Sequence, residues 1–366
     1  MRRVVIKIGS STLVRDGKVD AVFVGHLAAE CANLMHDEDV QPIIVSSGSI
    51  ALGLEVLGMH GDRPDDMPTL QAAASIGQVG LIRQYTDTFA CFGVTVGQIL
   101  MTRATTGQRE SYLHARDTIE RLLELGVVPI INENDTVAVE EIRFGDNDTL
   151  AAMVATSIHA DLVVLLSDID GLYTADPRKN EDAELLDTVS KMSEEIENGA
   201  GGVGSRSGSG GVSPPIAALN VRPCRIAAAR VLMAAGIPMV ICEGRRRGAV
   251  TDAVHGRRVG TTFFDESSNG LAARKSWIAL GGKVKGCVSC DDGAVDALLN
   301  HGGSLLPVGI VAIEGTFKAG DPVDVVDLQG RIIGRGLAGY STMELARLLG
   351  EHGAREFINR DELVIF

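Results

Sequence analysis

The stretch "RRVVIKIGSST", Arg2–Thr12, is an apolar run with one lysine in its middle and a glycine and two serines near its end. Continuous apolar residues, rather than alternation, fit a strand covered on both faces, as in a parallel sheet. Lys7 lies between Ile6 and Ile8, where an ammonium is costly unless it meets an anion or reaches a cleft. A strand-edge lysine that snorkels to water is the plain alternative. Gly9 and Ser10 come directly after, and backbone amides at such a turn can hold phosphate oxygens.

Similar apolar runs recur at Pro42–Val45, Val94–Met101, Val127–Ile131, Leu162–Leu166 and Pro238–Cys242. Helix-like segments lie between them at Val22–Met35, Thr69–Phe89, Ser111–Leu125, Thr149–Ser157 and Ile226–Ala235. This alternation predicts an α/β fold, a mostly parallel sheet sandwiched by helices. Ligands of such sheets bind at the carboxyl ends of the strands, so the polar residues after each strand are the candidates for function.

The chain has 366 residues, more than one core usually holds, so two domains are expected. After about residue 260 the pattern changes to closely spaced β-like stretches at Val308–Thr316, Pro322–Asp327, Arg331–Ala338 and Leu363–Phe366. They predict a small, mainly β barrel-like domain joined through "FFDESSNGLAARK". Residues 199–211, "GAGGVGSRSGSGG", are rich in glycine and serine and read as a mobile lid or a phosphate loop.

A net charge of −14 opposes broad, non-specific nucleic-acid binding, which draws on cationic surface. The clusters Arg245–Arg247 and Arg257–Arg258 read as solvated surface charge. No apolar run approaches the roughly 20 residues that span a bilayer, and the N-terminal run reads as a strand rather than a signal peptide. A cytoplasmic protein with no membrane partner is expected. Its six cysteines would then stay reduced. Cys287 and Cys290 form a lone C-x-x-C without a second pair at matching spacing, so ordinary thiols are expected there rather than zinc.

The strand ends carry four polar clusters. Ser46, Ser47 and Gly48 form a turn that suits an anion, or simply caps a helix. Asn132, Glu133, Asn134 and Asp135 exceed what one helix cap requires. Asp146, Asn147 and Asp148 open a helix, where acidic residues also favour its dipole. Ser167 and Asp168 occupy a turn in which ordinary turn chemistry is the plain reading.

Taken in order, "VVIKIGSS", "VSSGSIALG", "INENDTV", "FGDNDTLAA" and "SDIDGLYTADP" resemble the motifs of the amino-acid kinase family. "RKSWI", "GGSLLPVGI" and "GDPVDVVD" look like a small PUA domain. The resemblance implies an amino-acid kinase domain over residues 1–260, a linker over 261–276 and a PUA-like domain over 277–366. "INENDTV" with "FGDND" resembles the branch that acts on L-glutamate. That branch implies ATP-dependent, Mg²⁺-assisted phosphorylation of the glutamate side-chain carboxylate to γ-glutamyl phosphate, the first step of proline biosynthesis.

Residue by residue, the resemblance makes Lys7 and Asp148 catalytic, Lys7 on the phosphates and Asp148 orienting the phosphate-binding cations. Gly9, Ser10, Ser167, Asp168, Gly208, Ser209, Gly210 and Gly211 would bind ATP. Ser47, Asp135 and Asn147 would bind glutamate. No protein ligand to metal is expected, and no strong general base is needed, because the attacking carboxylate is already ionised. Feedback inhibition by proline and a homo-oligomer are also implied. The alternative is a catalytically weakened regulatory or RNA-binding protein acting through the PUA-like domain.

The sequence departs from the family at one place. The family's glycine-rich turn reads like G-[ST]-G-G-M-x-[ST]-K before an alanine-rich helix. Here "GSGGV" is succeeded by "SPPIAALNVRPC", and Arg225 stands where the lysine would precede the helix. Arg225, or nearby Arg222, is therefore the candidate to replace that lysine at ATP, although a planar guanidinium is not equivalent to a compact ammonium. A displaced loop that leaves Lys7 to act without it is the competing reading.

Overall fold

The computed structural model describes residues 1–59, 61, 63–102, 109–138, 147–174, 183–192, 223–265, 284–351 and 354–365. Two compact units emerge, one from Met1–Thr102 with Leu113–Asn269 and one from Arg103–Tyr112 with Gly270–Phe366.

The first unit is built on an eight-stranded sheet. Its strands are β1 (Arg2–Ile8), β2 (Val40–Val45), β3 (Val96–Met101), β4 (Val128–Glu133), β5 (Leu162–Ser167), β6 (Thr188–Val189), β7 (Met239–Glu243) and β8 (Gly260–Phe263). They lie in the order β3-β4-β2-β1-β5-β7-β8-β6. Every pairing is parallel except β7 with β8. The carboxyl ends of β1, β2, β4 and β5 therefore share one edge. Strand order reverses at β1, whose Lys7 is in register with Val45 of β2 and Leu165 of β5. That is where a doubly wound sheet opens a crevice.

Side chains alternate across β1. Val4, Ile6 and Ile8 enter the main core with Phe23 and Leu27 of α1 (Ala21–Asp37) and Tyr85 and Phe89 of α3 (Met67–Ala90). Burying each such side chain contributes about 1.5–3 kcal/mol. Lys7 belongs to the other face. There α5 (Asp148–Ser157) packs on α6 (Pro223–Ala234). Besides the single helical turn Ser10–Leu13 after β1, the other described helices of the first unit are α2 (Ser49–Val56), α4 (Arg109–Glu124) and α7 (Ala249–Val254).

Helices α2 and α3 cross at backbone contact. A Cβ on Gly53 would collide with the Ala73 carbonyl, and one on Gly77 with the Ser49 carbonyl. Two glycines thus set how α3 passes the carboxyl ends of β2 and β4.

The sequence placed the helix after the glycine-rich segment at Ile226. It begins at Pro223, an allowed position because the first helical residue needs no amide donor. The strand Gly260–Phe263 carried no periodic signal, yet it extends the first sheet.

The second unit holds a five-stranded sheet, in the order β10-β9-β11-β12-β13. Its strands are β9 (Gly286–Cys290), β10 (Ile310–Gly315), β11 (Pro322–Val326), β12 (Ile332–Leu337) and β13 (Leu363–Ile365). Helices α8 (Asp292–Asn300) and α9 (Thr342–Leu348) accompany it. Val288, Phe317, Val323 and Phe357 fill its core, and the Phe317 and Phe357 rings are 5.9 Å apart. Cys290 is buried there, whereas the Cys287 thiol meets Glu314 at 3.8 Å.

Candidate functional site

The shared strand edge brings together side chains far apart in sequence. Lys7 leaves β1 on the α5 side and is buried, with its Nζ against Oδ1 of Asp148. Asp148 is the first residue of α5, and its side chain is fully buried. Its second oxygen, Oδ2, accepts from Nε of Arg225 at 3.2 Å. Arg225 lies in the first turn of α6 and is itself 7% exposed. One carboxylate thus fixes an ammonium and a guanidinium beside each other. Removing charges from water on this scale demands such mutual pairing.

Asn147, just before Asp148, anchors a second group. Its Nδ2 donates to Ser46 O at 2.5 Å, to Asn132 Oδ1 at 2.8 Å and to Ser47 Oγ at 3.2 Å. Asn132 Oδ1 also accepts from the Glu133 amide at 2.9 Å, and Asn132 Nδ2 donates to Gln78 Oε1 at 2.8 Å. Ser46 Oγ shares a hydrogen with the buried Tyr85 hydroxyl at 3.1 Å. Burial pushes the Tyr85 phenol well above its ordinary value, which keeps it a neutral partner. Asp135 is tied in by Ser49 Oγ, which donates to its Oδ2 at 2.7 Å.

On the other side of β1, Ser167 ends β5 and donates through Oγ to Asp168 Oδ1 at 3.0 Å. Its carbonyl accepts from the Gly244 amide at 2.7 Å, which joins the ends of β5 and β7. Asp168 and Ser10 are exposed. The Gly9 amide donates to Leu166 O at 3.2 Å, so Gly9 supplies room rather than a donor. A Cβ there would approach the described residues no closer than 3.7 Å. Among the described residues, packing does not demand this glycine.

Lys7, Ser47, Asp135, Asn147, Asp148 and Arg225 therefore assemble along one edge, with Gly9, Ser10, Ser167 and Asp168 beside them. Gly208, Ser209, Gly210, Gly211, Arg222 and Asp146 lie outside the described residues. Sequence reasoning passed over Ser49, Gln78 and Tyr85, and left Asn132 without a role. A signal was present: Gln71, Gln78 and Tyr85 recur every seven residues on α3, a spacing that keeps them on nearly one face. Each meets the site's scaffold, with Gln71 Nε2 donating to Ala138 O at 3.1 Å.

A separate cleft is lined by Arg15, Asp20, His26, Glu30, Arg245 and Arg246 among others. Its charges are largely matched within the fold. Arg246 pairs with Asp252 at 2.9 Å, Arg245 approaches Asp20 at 4.0 Å, and Glu30 accepts from the amides of Gly248 and Thr251 at the start of α7. Arg257 also pairs with Asp252, and Arg258 with Asp187.

The amino acid kinase family profile matches residues 2–243, and the PUA domain profile matches residues 286–355. The chain is 41% identical to "Glutamate 5-kinase" of Pelobacter propionicus over 377 aligned positions, covering 100% of this chain and 98% of that protein. It is 42% identical to "Glutamate 5-kinase" of Carboxydothermus hydrogenoformans, covering 100% and 98%. The protein of the same name from Caldanaerobacter subterraneus is 41% identical, with 99% and 97% covered. Among solved structures, isopentenyl phosphate kinase superposes with a TM-score of 0.47 at 17% identity, covering 71% of this chain and 98% of that one. Full-length likeness at this level, with the family profile spanning the whole strand edge just described, shows that the chain belongs to the amino acid kinase family and carries a PUA domain after its kinase domain.

Proposed function

We propose that the chain transfers the γ-phosphoryl group of ATP to the side-chain carboxylate of L-glutamate, giving γ-glutamyl phosphate for proline biosynthesis. The observation that carries this reading is the placement of the buried Lys7–Asp148–Arg225 ion group directly beside the Ser47–Asn147–Asn132 amide and hydroxyl network. Full-length likeness to proteins named glutamate 5-kinase supports the choice of acceptor.

The chemistry is dictated by charge. Two anions, a carboxylate and a triphosphate, must approach, so catalysis needs positioning and cations more than a base. Lys7 meets the phosphates, and Arg225 supplies the second cation where relatives of the family place a lysine. Asp148 holds both in register before substrate arrives, which is preorganisation rather than a chemical step. Ser47, Asp135 and Asn147 receive the amino acid. Gly9 and Ser10 border the phosphates and Ser167 and Asp168 the nucleotide; Gly208, Ser209, Gly210 and Gly211 are assigned to ATP by the family's motif alone. Mg²⁺ would accompany ATP, since it prefers hard oxygen ligands, and would add positive charge at the phosphates. The kinase domain, expected over residues 1–260, is taken to include the rest of strand β8 to Phe263, and a cytoplasmic homo-oligomer inhibited by proline fits the same reading.

Purified protein with ATP, Mg²⁺, L-glutamate and hydroxylamine should accumulate γ-glutamyl hydroxamate, and Lys7→Ala should abolish it. Folded protein that binds ATP but forms no hydroxamate overturns the proposal.

A further inference from the structure

Gln78 lies in the middle of α3, in no recognisable motif, and its amide orientation is dictated from outside. The Glu133 backbone amide can only donate, so its partner at 2.9 Å must be the oxygen of Asn132. The Ser46 carbonyl can only accept, so its partner at 2.5 Å must be the nitrogen of Asn147. These two fixed points agree, because Asn147 Nδ2 then donates to Asn132 Oδ1 at 2.8 Å. Asn132 Nδ2 is left, and it needs an acceptor, which Gln78 Oε1 supplies at 2.8 Å. The cost is visible at the far end: Gln78 Nε2 is buried and has no acceptor among the described residues. Turning the Gln78 amide over would set two NH₂ groups against each other. The unmet donor is thus the consequence of keeping an oxygen toward Asn132.

The chain of amides ends at Asn147. With Nδ2 committed to three oxygens, only Oδ1 of that amide remains to meet a ligand, and it meets it as an acceptor. We propose that Gln78 is a positioning residue for the amino-acid substrate. Through Asn132 it holds Asn147 with Oδ1 toward the substrate's ammonium group, so the site selects an α-amino acid over the corresponding amine-free dicarboxylate. The inference rests on the glutamate-kinase reading of the site.

The test uses the full-length chain with Gln78→Leu and Gln78→Glu, the latter keeping an oxygen toward Asn132. Loss of this acceptor should raise the glutamate KM of Gln78→Leu about tenfold, with kcat and the ATP KM little changed and the melting temperature only modestly lowered. Gln78→Glu should recover most of that loss. In parallel, protein labelled with ¹⁵N in asparagine reports the network without substrate. The carboxamide protons of Asn132 and Asn147 should be protected from exchange in the parent and in Gln78→Glu, and unprotected in Gln78→Leu. An unchanged glutamate KM in Gln78→Leu overturns the proposal, as does general damage in which kcat falls, both KM values rise and stability collapses together. Retained protection at Asn147 in Gln78→Leu does the same. Protein that shows Gln78-dependent protection but neither binds nor phosphorylates glutamate overturns the kinase reading, and the substrate role with it, while the amide network stands.

Discussion

Arg225 donates from Nε to Asp148 Oδ2 at 3.2 Å across 77 residues of sequence, while Lys7 takes the other oxygen of the same carboxylate. The contact joins the first turns of α5 and α6. It places a guanidinium beside the buried ammonium, at a point where the family's lysine would precede the helix.

Asp148→Asn should be destabilising as well as inactivating. Removing one partner of a buried ion pair costs about 3–5 kcal/mol, because the charges left behind stay desolvated. Urea unfolding of the parent and the variant measures the difference. Parent-like stability would mean that Lys7 and Arg225 have other means of compensation.

Arg225→Ala should lower kcat about 10²–10³-fold if the arginine is one of the cations at the phosphates. Arg225→Lys should regain part of that activity, because an ammonium restores the charge without the planar fork. Steady-state kinetics with ATP varied distinguishes the two variants. Parent-like kcat in Arg225→Ala would reduce the arginine to a structural partner of Asp148.

Gly77→Ala should destabilise the first unit by at least about 1–3 kcal/mol, the range for overpacking. The added methyl would strike the Ser49 carbonyl, pushing apart the helices that carry Ser49 and Gln78. The glutamate KM should rise in step, whereas Gly80→Ala, whose Cβ meets nothing among the described residues within 4 Å, should leave the KM unchanged and stabilise the exposed helix by about 0.5–1 kcal/mol.

Burial pushes the Cys242 and Cys290 thiols up to about 12 from an ordinary 9.0. Above pH 9 an unfolded chain would release those protons while the folded chain keeps them, so the unfolded state binds fewer protons. Stability should therefore be whole below about pH 9 and fall as pH rises toward 12. Melting temperatures across that range measure the slope. At pH 8, iodoacetamide should label the exposed Cys91 well before Cys242 or Cys290, because the thiolate is the reactive form.

Most of the parallel strands were legible because they are short, largely apolar runs, and the polar residues just after them marked the edge that carries the site; the two-residue strand Thr188–Val189 was too short to be read. The antiparallel strand Gly260–Phe263 was not, since "GTTF" has neither length nor alternation. Lys7, Asn147 and Asp148 stood out as polar residues in or after apolar runs, but their expected roles came from the resemblance of the surrounding motifs to the amino-acid kinase family. Arg225 could be nominated by its position before the alanine-rich helix, but its partner could not, because that partner is set by how α6 packs on α5. Gln78 and Tyr85 were hidden among alanines and glycines of a long helix. Their contacts depend on the α2–α3 crossing at Gly53 and Gly77, which no local pattern encodes.

The most direct test tracks an oxygen atom. L-Glutamate labelled with ¹⁸O in its side-chain carboxylate is incubated with the protein, ATP and Mg²⁺, and the product is trapped with hydroxylamine. If the carboxylate attacks the γ-phosphorus, the new C–O–P bridge carries a labelled oxygen. Hydroxylamine then breaks the carbon–oxygen bond and releases that oxygen with phosphate. The account predicts one ¹⁸O in each phosphate released and no label transfer in Lys7→Ala. Unlabelled phosphate from an active protein would contradict it.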